Sequence, residues 1–524
     1  MLVIVADDLG YLDLGCFGSE IRTPHLDALA KDGLTLTRFY VAPTCSPTRA
    51  MLLSGADAHV AGMGTMAGGS DPLQTGQPGY EGFMTHRVVT VATLLRDAGY
   101  LTCMAGKWHL GGLEPLVPHR RGFARSYALL PGGASHFADA ATLTEHDQPA
   151  PYLDDGRAVQ PPADFFSSDF YTDRLLQNFD EARRHERPFF AYAAYTAPHW
   201  PLQVPEAELD RYAGVYDDGW DVLRARRFAA AQRLGLVADD AEPPPRVPFA
   251  PAWDSLSADQ QRVEARKMEL YAAMVENLDR NIGRLIDGLA ASGQLDNTFI
   301  LFLPDNGPEG NPIDRLGSNE TWLPQRFDLS YENMGRPDSY VFCGPGWAQC
   351  GAAPFRWFKA FPTEGGVCVP AIVRHPSVAA AGERRSSPAS VKDVVPTLLE
   401  LAGLEHPGTE YEGRRVAPLE GRSMLPFLTG ATPSVHGEGG FVMGWELFGR
   451  CAVLAGSHKL LRIGPPYGPG RWALFDVEGD PGETTDLFDD RPELSTRLLE
   501  LWQRYVARNR VIIPVNDFGY ADER

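Results

Sequence analysis

The chain has 524 residues, with 48 basic against 68 acidic side chains and a formal charge of -20. Hydrophobic residues at 44% and charged residues at 22% give a globular rather than a disordered composition. The acidic excess excludes a general nucleic-acid or acidic-membrane binder, which needs a broad positive field, but leaves room for a small anion in a local pocket.

A chain of this length can bury a large α/β core with an addition. No apolar run is long enough to span a bilayer. Leu2-Val3-Ile4-Val5-Ala6 is too short for a signal peptide and has no basic residue before it. It reads as a buried parallel strand, so a short natural N-terminus is expected to precede residue 1. Seven cysteines do not make a disulfide scaffold. Cys343 and Cys350 are spaced to bridge, but a buried free thiol is the expected fate of each. A cytoplasmic location is expected, or a periplasmic one if a leader precedes residue 1.

In chain order, the first strand runs into Asp7-Asp8-Leu9-Gly10, placing paired carboxylates at a strand's carboxyl end, where open α/β sheets form their sites. A short helix is expected over 24–32, a strand over 34–40, and a helix over about 47–54. Residues 88–98 read as an amphipathic helix, followed by a strand over 100–105 leading into Gly106-Lys107-Trp108-His109. Another buried strand, 188–195, ends near His199. A helical period over 264–290 is carried by Met268, Tyr271, Val275, Leu278, Ile282, Leu285 and Leu289. Strand 298–303 ends in Pro304-Asp305-Asn306-Gly307, strand 367–373 follows, and then a helix over 392–402. This alternation predicts a mostly parallel sheet sandwiched by helices.

Two stretches depart from that pattern. Residues 205–263, charged and holding Pro243-Pro244-Pro245, read as an excursion, and 307–350 as a long loop region near the site. After residue 428 short strands follow at meander spacing, over 440–447, 450–455, 458–463 and 472–477, with a helix over 494–508. The expected division is an α/β catalytic domain over 1–428 and a small C-terminal domain over 429–524, an antiparallel sheet packed by a helix.

The sharpest local feature is Cys45-Ser46-Pro47-Thr48-Arg49. Thr44 or Ser46 can cap a helix with Pro47 in its first turn, leaving Cys45 near free backbone N–H groups and Arg49 on roughly the same face. A sulfur beside a fixed cation at a helix start is an anion site. The same residues equally fit a buried cysteine at a helix cap with a surface arginine. Asp7, Asp8, Asp305 and Asn306 offer clustered oxygens suited to calcium or magnesium, although Asp-Asn-Gly is also a strong turn sequence. No Cys/His array has zinc spacing. Lys107 and His109 share a side if the chain stays extended, and Lys359 lies in Arg356-Trp357-Phe358-Lys359. With only 6 Lys against 42 Arg, a lysine at such a place carries extra weight.

Taken together, these stretches resemble the type I, formylglycine-dependent sulfatases of the alkaline-phosphatase-like superfamily, most closely bacterial arylsulfatases. Cys45-Ser46-Pro47-Thr48-Arg49 matches the C-x-P-S/T-R signature, and Gly99-Tyr100 through Gly106-Lys107-Trp108-His109-Leu110-Gly111 matches the second signature. Asp7-Asp8-Leu9-Gly10 and Asp305-Asn306-Gly307 match the metal motifs, and Glu364 to Pro370 a core strand. The likeness continues through Phe475-Asp476 and Asp480 to Leu487.

The resemblance implies hydrolysis of sulfate monoesters, above all aryl sulfates, through a covalent sulfate on formylglycine 45 with S–O cleavage. Cys45 would be converted by a formylglycine-generating enzyme, its one maturation partner. Asp7, Asp8, Asp305, Asn306 and modified residue 45 would hold one divalent cation, expected to be calcium. Arg49 would orient the modified side chain. Lys107, His199 and Lys359 would bind the sulfate ester, with His199 first in line to protonate the leaving oxygen, and His109 would act as base. Trp108, Trp322, Trp357 and Phe358 are candidates for an aromatic entrance. Two alternatives stand beside this reading: a phosphonate monoester or phosphodiester hydrolase of the same superfamily, and a catalytically silent calcium-bearing binding protein.

Overall fold

In the computed structural model, described for residues 1–145, 149–315, 317–378, 381–437 and 439–515, strand Leu2–Ala6 pairs in parallel with Phe189–Ala194 on one side and Ile300–Pro304 on the other. Leu101–Lys107 extends the sheet beyond Phe189–Ala194, and Arg125–Leu129 extends it again, both in parallel. On the other side Cys368–Arg374 runs antiparallel to both Ile300–Pro304 and Leu34–Tyr40. Short edge strands bring the sheet to eleven.

Every residue of the four strands at 2–6, 101–107, 189–194 and 300–304 is buried. Successive side chains of a strand point to opposite faces, so both faces of this sheet are covered. Helices Pro24–Asp32, Ser167–Arg184 and Ala258–Ala291 pack together as one layer, and Cys45–Ser54, Val91–Asp97 and Val394–Leu401 as another. The expected α/β architecture is present.

Several boundaries shift for identifiable reasons. The long helix starts at Ala258 because Ser257 and Gln260 form a reciprocal capping box ahead of the apolar period. The 88–98 helix shortens to Val91–Asp97, since the Thr90 hydroxyl accepts from Thr93 N–H and starts it there. Region 307–350 is not one long loop: it contains Asn319–Arg326, obscured in sequence by the internal Pro324, and Pro345–Ala352, which starts on Pro345 after Gly344. Helix Ser167–Arg184 and strand Arg125–Leu129 were not among the elements expected. The 205–263 stretch contains helix Gly219–Arg233, packed on Pro345–Ala352.

The C-terminal part is a four-stranded antiparallel meander, Val442–Leu447, Arg450–Ala455, His458–Arg462 and Trp472–Asp476. Helix Pro492–Asn509 covers it, burying Leu498 and Trp502 against Cys451, Val453, Leu460 and Leu474. A buried ionic cluster joins this sheet to the α/β body. Lys459, fully buried, lies 2.9 Å from Glu364 and 3.1 Å from Glu483. The Tyr40 hydroxyl donates to Glu364 at 3.0 Å, and Trp445 Nε1–H donates to the Val41 carbonyl at 2.8 Å. No disulfide joins cysteines among the described residues; Cys343 and Cys350 are both buried, and the Cys350 thiol donates to the Trp220 carbonyl. No helix among the described residues is long and apolar enough to cross a membrane.

Candidate active site

The sheet order sets Ile300–Pro304, Leu2–Ala6, Phe189–Ala194 and Leu101–Lys107 side by side and parallel, so their carboxyl ends open at one edge. Asp305–Asn306, Asp7–Asp8, Lys107 and, one turn further on, His199 arrive there together. Helix Cys45–Ser54 begins at the same place, and all ten of its residues are buried. Thr44 occupies its N-cap position, but without a side-chain cap, and Ser46 lies within the first turn.

The fixed charges interlock. Arg49, fully buried, donates Nε–H to Asp305 at 2.9 Å and Nη1–H to the Lys107 carbonyl and the Tyr192 hydroxyl; its other amine is 3.6 Å from Asp7. Lys107 donates to both Asp7 oxygens at 2.8 and 3.1 Å. Lys359 Nζ lies 2.8 Å from the Asp8 carboxylate and 3.3 Å from Glu309. His199 donates Nδ1–H to the Trp200 carbonyl at 2.6 Å, which leaves Nε2 facing Asp8 at 3.5 Å. Cys45 Sγ is 3.4 Å from His109 Nδ1.

These contacts tune the groups. Burial raises Asp7, Asp305 adds to it, and Lys107 and Arg49 only partly offset them, so its carboxyl stands at about 8. Burial works to raise Asp8 too, but Lys359, His199 and Lys107 outweigh it and hold Asp8 at about 2. Burial lowers His109 well below its usual range, helped by Lys107 and Arg49, and burial likewise lowers His199 against the pull of Asp8. Burial raises the Cys45 thiol despite Lys107 and Lys359, so the unmodified sulfur is protonated and a weak nucleophile.

The donor set suits a hard divalent cation. Asp7, Cys45 and Asp305 present atoms within 4.8 Å of one another, as do Asp7, Asp8 and His199. Asn306 donates Nδ2–H to Asp8 at 2.7 Å and to the Gly307 carbonyl at 2.8 Å, while its buried Oδ1 has no hydrogen-bond partner among the described residues. An orphaned amide oxygen beside three carboxylates is what a calcium or magnesium shell uses. Backbone strain gathers here as well. Asp8 (φ 66°), His109 (φ 55°), Trp357 (φ 59°) and Ala360 (φ 74°) are all left-handed, a form about 1–2 kcal/mol unfavourable for a non-glycine residue. A Cβ at Gly132 would fall 2.7 Å from the His109 ring, so that close approach needs glycine.

Every site residue expected from sequence reaches this cluster, but Arg49 turns its hydrogen bonds to Asp305, Lys107 and Tyr192 rather than to the sulfur. The aromatic entrance needs correction. Trp108 is fully buried against Phe123 and donates to the Leu116 carbonyl, and Trp357 and Phe358 are packed with Phe361. Trp322 alone joins a satellite apolar cluster with Leu143, Trp200, Ile313, Leu323, Phe327 and Tyr340. Trp200, not anticipated, brings this cluster to the site: its ring lies 4.8 Å from that of His199. Glu309 and Tyr192 were also missed. The only signal for Glu309 was its place three residues after Asn306; Tyr192, inside a buried strand, gave none.

The sulfatase family model matches residues 1–404. An uncharacterized sulfatase of Schizosaccharomyces pombe is 42% identical over 99% of this chain and 95% of its own length. The arylsulfatase of Klebsiella aerogenes is 39% identical over 81% of this chain and 90% of its own, and human arylsulfatase A 31% over 80% and 67%. Among solved structures, Ps i-CgsB superposes with a TM-score of 0.69 at 24% identity, covering 97% of this chain and 92% of that one. The phosphonate monoester hydrolase of Agrobacterium radiobacter shares the fold with a TM-score of 0.56 at 20% identity, covering 97% and 95%. Fold, strand-end site and whole-length similarity agree: the chain belongs to the sulfatase family, hydrolases of sulfate esters.

Proposed function

We propose that the protein hydrolyses aryl sulfates with S–O cleavage at residue 45, after conversion of Cys45 to Cα-formylglycine. The observation that carries this is the place of Cys45, at the start of a buried helix and 3.4 Å from His109, among Asp7, Asp305 and Lys107. Asp7, Asp8, Asp305, Asn306 and residue 45 would hold one divalent cation, expected to be calcium, which when bound supplies Lewis-acid polarisation. Formylglycine supplies a hydrated aldehyde in place of a buried, protonated thiol.

The remaining roles belong to the chain's own residues. Lys107 and Lys359 bring compact charges to the sulfate oxygens and hold the ester in line with residue 45. His199 is fixed through Nδ1, so a proton for the leaving oxygen has to be carried on Nε2 of its imidazolium, the form that Asp8 favours against burial, with Lys359 assisting. His109, low in basicity and beside Cys45, accepts a proton from residue 45 in the second half of the cycle. Arg49 holds Asp7 and Asp305 in place. The aromatic cluster entered through Trp200 supports an aryl leaving group, as does the name arylsulfatase borne by the Klebsiella and human relatives.

The test compares protein produced with and without a formylglycine-generating enzyme, by mass of the peptide holding residue 45 and by kcat/KM on an aryl sulfate and an aryl phosphonate. Activity is expected to track conversion and to favour the sulfate. Cys45→Ser, which has no second hydroxyl with which to expel sulfate, is expected to release at most one phenol per chain and Cys45→Ala none. Repeated turnover by Cys45→Ser, or a preference for the phosphonate, overturns the reading.

A further inference from the structure

We propose that Arg450, on the small C-terminal sheet, is a positioning residue for the Lys359 ammonium, which makes the C-terminal sheet part of the sulfate-binding apparatus. The inference rests on the role of Lys359 given above. Lys359 lies in no helix or strand. Its neighbours Trp357 and Ala360 are both left-handed, so the segment has no ladder of its own and is held in an unfavourable backbone form from outside.

Hydrogen bonds to the backbone of this turn do the holding, among them one from Asn311 Nδ2–H to the Lys359 carbonyl at 3.3 Å. Lys359 N–H donates to the Pro308 carbonyl at 3.1 Å, and Ala360 N–H donates to the Pro43 carbonyl at 2.6 Å, two residues before Cys45. The Ala360 carbonyl accepts from Arg450 Nη1 at 2.8 Å. One residue therefore ties the Lys359 segment to the start of the Cys45 helix through its N–H and to the C-terminal sheet through its C=O.

Arg450 is well made for this. It is fully buried at the start of strand Arg450–Ala455. Its guanidinium lies 3.9 Å from the Phe361 ring centre and 4.5 Å from that of Tyr467, between two aromatic faces that fix its plane. Phe361 follows Ala360 directly, so the arginine grips the same turn by its carbonyl and by the next side chain. Lys359 has one productive place, 2.8 Å from Asp8 and 3.3 Å from Glu309. Release of Ala360 lets the 357–360 turn relax toward ordinary backbone angles and carries the ammonium away from the ester.

The experiment is a double-mutant cycle on the matured protein, with Lys359→Ala, Arg450→Met and the pair, read as kcat/KM on aryl sulfates with good and poor leaving groups. A displaced ammonium is expected to cost about tenfold to a hundredfold, the scale of a 1 Å misplacement. Arg450→Met should slow the poor leaving group more, as Lys359→Ala does, and the pair should be no slower than Lys359→Ala within about twofold. Tyr467→Leu, which opens one face of the guanidinium, should give a smaller loss with the same leaving-group dependence. Arg450→Lys replaces Arg450→Met in the cycle if the latter does not fold. Losses that multiply in the pair, or a lowered melting temperature with unchanged rates, overturn the inference. A silent Lys359→Ala instead removes the role of Lys359 itself.

Discussion

Lys459→Met tests the ionic cluster that joins the small sheet to the α/β body. Lys459 is fully buried, as are Glu364 and Glu483, its partners at 2.9 and 3.1 Å. Methionine fills a similar volume, so little packing is lost, and the effect is that of two carboxylates left facing each other with only Arg356, 3.9 Å from Glu483, as a remaining cation. Glu364 keeps the Tyr40 hydroxyl, and Glu483 keeps the Glu364 N–H at 3.1 Å. Neither replaces a charge. Removing one partner of a buried ion pair costs about 3–5 kcal/mol, against about 0–1 kcal/mol for an exposed pair. Burial already raises Glu483, with Lys459 and Arg356 pulling it down, so the substitution raises it further. The folded variant then binds protons more readily than the unfolded chain, and its stability falls as pH rises. Urea unfolding of Lys459→Met at pH 5 and pH 8 should show the larger deficit at pH 8. The triple variant Lys459→Met/Glu364→Gln/Glu483→Gln should recover most of it, since an uncharged cluster has no desolvated charge to carry. A deficit below about 1 kcal/mol at pH 8 refutes the reasoning, because it is the size expected of a solvated pair.

Two further outcomes are expected. His199→Ala should slow esters of poor leaving groups by about 10²–10⁴-fold, the usual worth of a general acid, and a nitrophenyl sulfate far less; a uniform loss across a leaving-group series removes His199 as the acid. Burial works to lower His59, but its hydrogen bonds to Asp57 and Glu446 outweigh it and lift it to about 9. A raised histidine stabilises the fold fully below about pH 6.5 and loses that contribution as pH rises through about 9. Unfolding free energies of His59→Gln should therefore be flatter with pH between those limits than those of the wild type, and parallel curves count against the charged histidine.

How much could be read in advance depended on what kind of residue carried the information. Asp7, Asp8 and Asp305 follow apolar runs, so the sheet alone delivers them to one edge. Lys107 and His199 are reached by the same logic. Lys359 is different: no strand or helix places it, and beyond the scarcity of lysine only the family likeness pointed to it. Glu309 and Arg450 act across separations of 50 residues or more, and Trp200 links its neighbour His199 to the distant Tyr340, through contacts that no local pattern encodes. In the fold, buried strands showed as apolar runs, while helix Asn319–Arg326 was hidden by its internal Pro324. Antiparallel Cys368–Arg374 shows the same limit, since an apolar run gives a strand but not its direction.

The enclosure of helix Cys45–Ser54 also bears on timing. Cys45 is 2% exposed, and the nine residues after it are buried with it. An enzyme that oxidises this thiol has to touch it, and the finished fold encloses it together with the helix that follows. If Cys45 is converted as proposed, maturation would belong to the interval before the sheet edge closes, in a race against folding. A fast-folding variant would emerge stable and undermodified, whereas a slow-folding one would gain in converted fraction what it lost in yield.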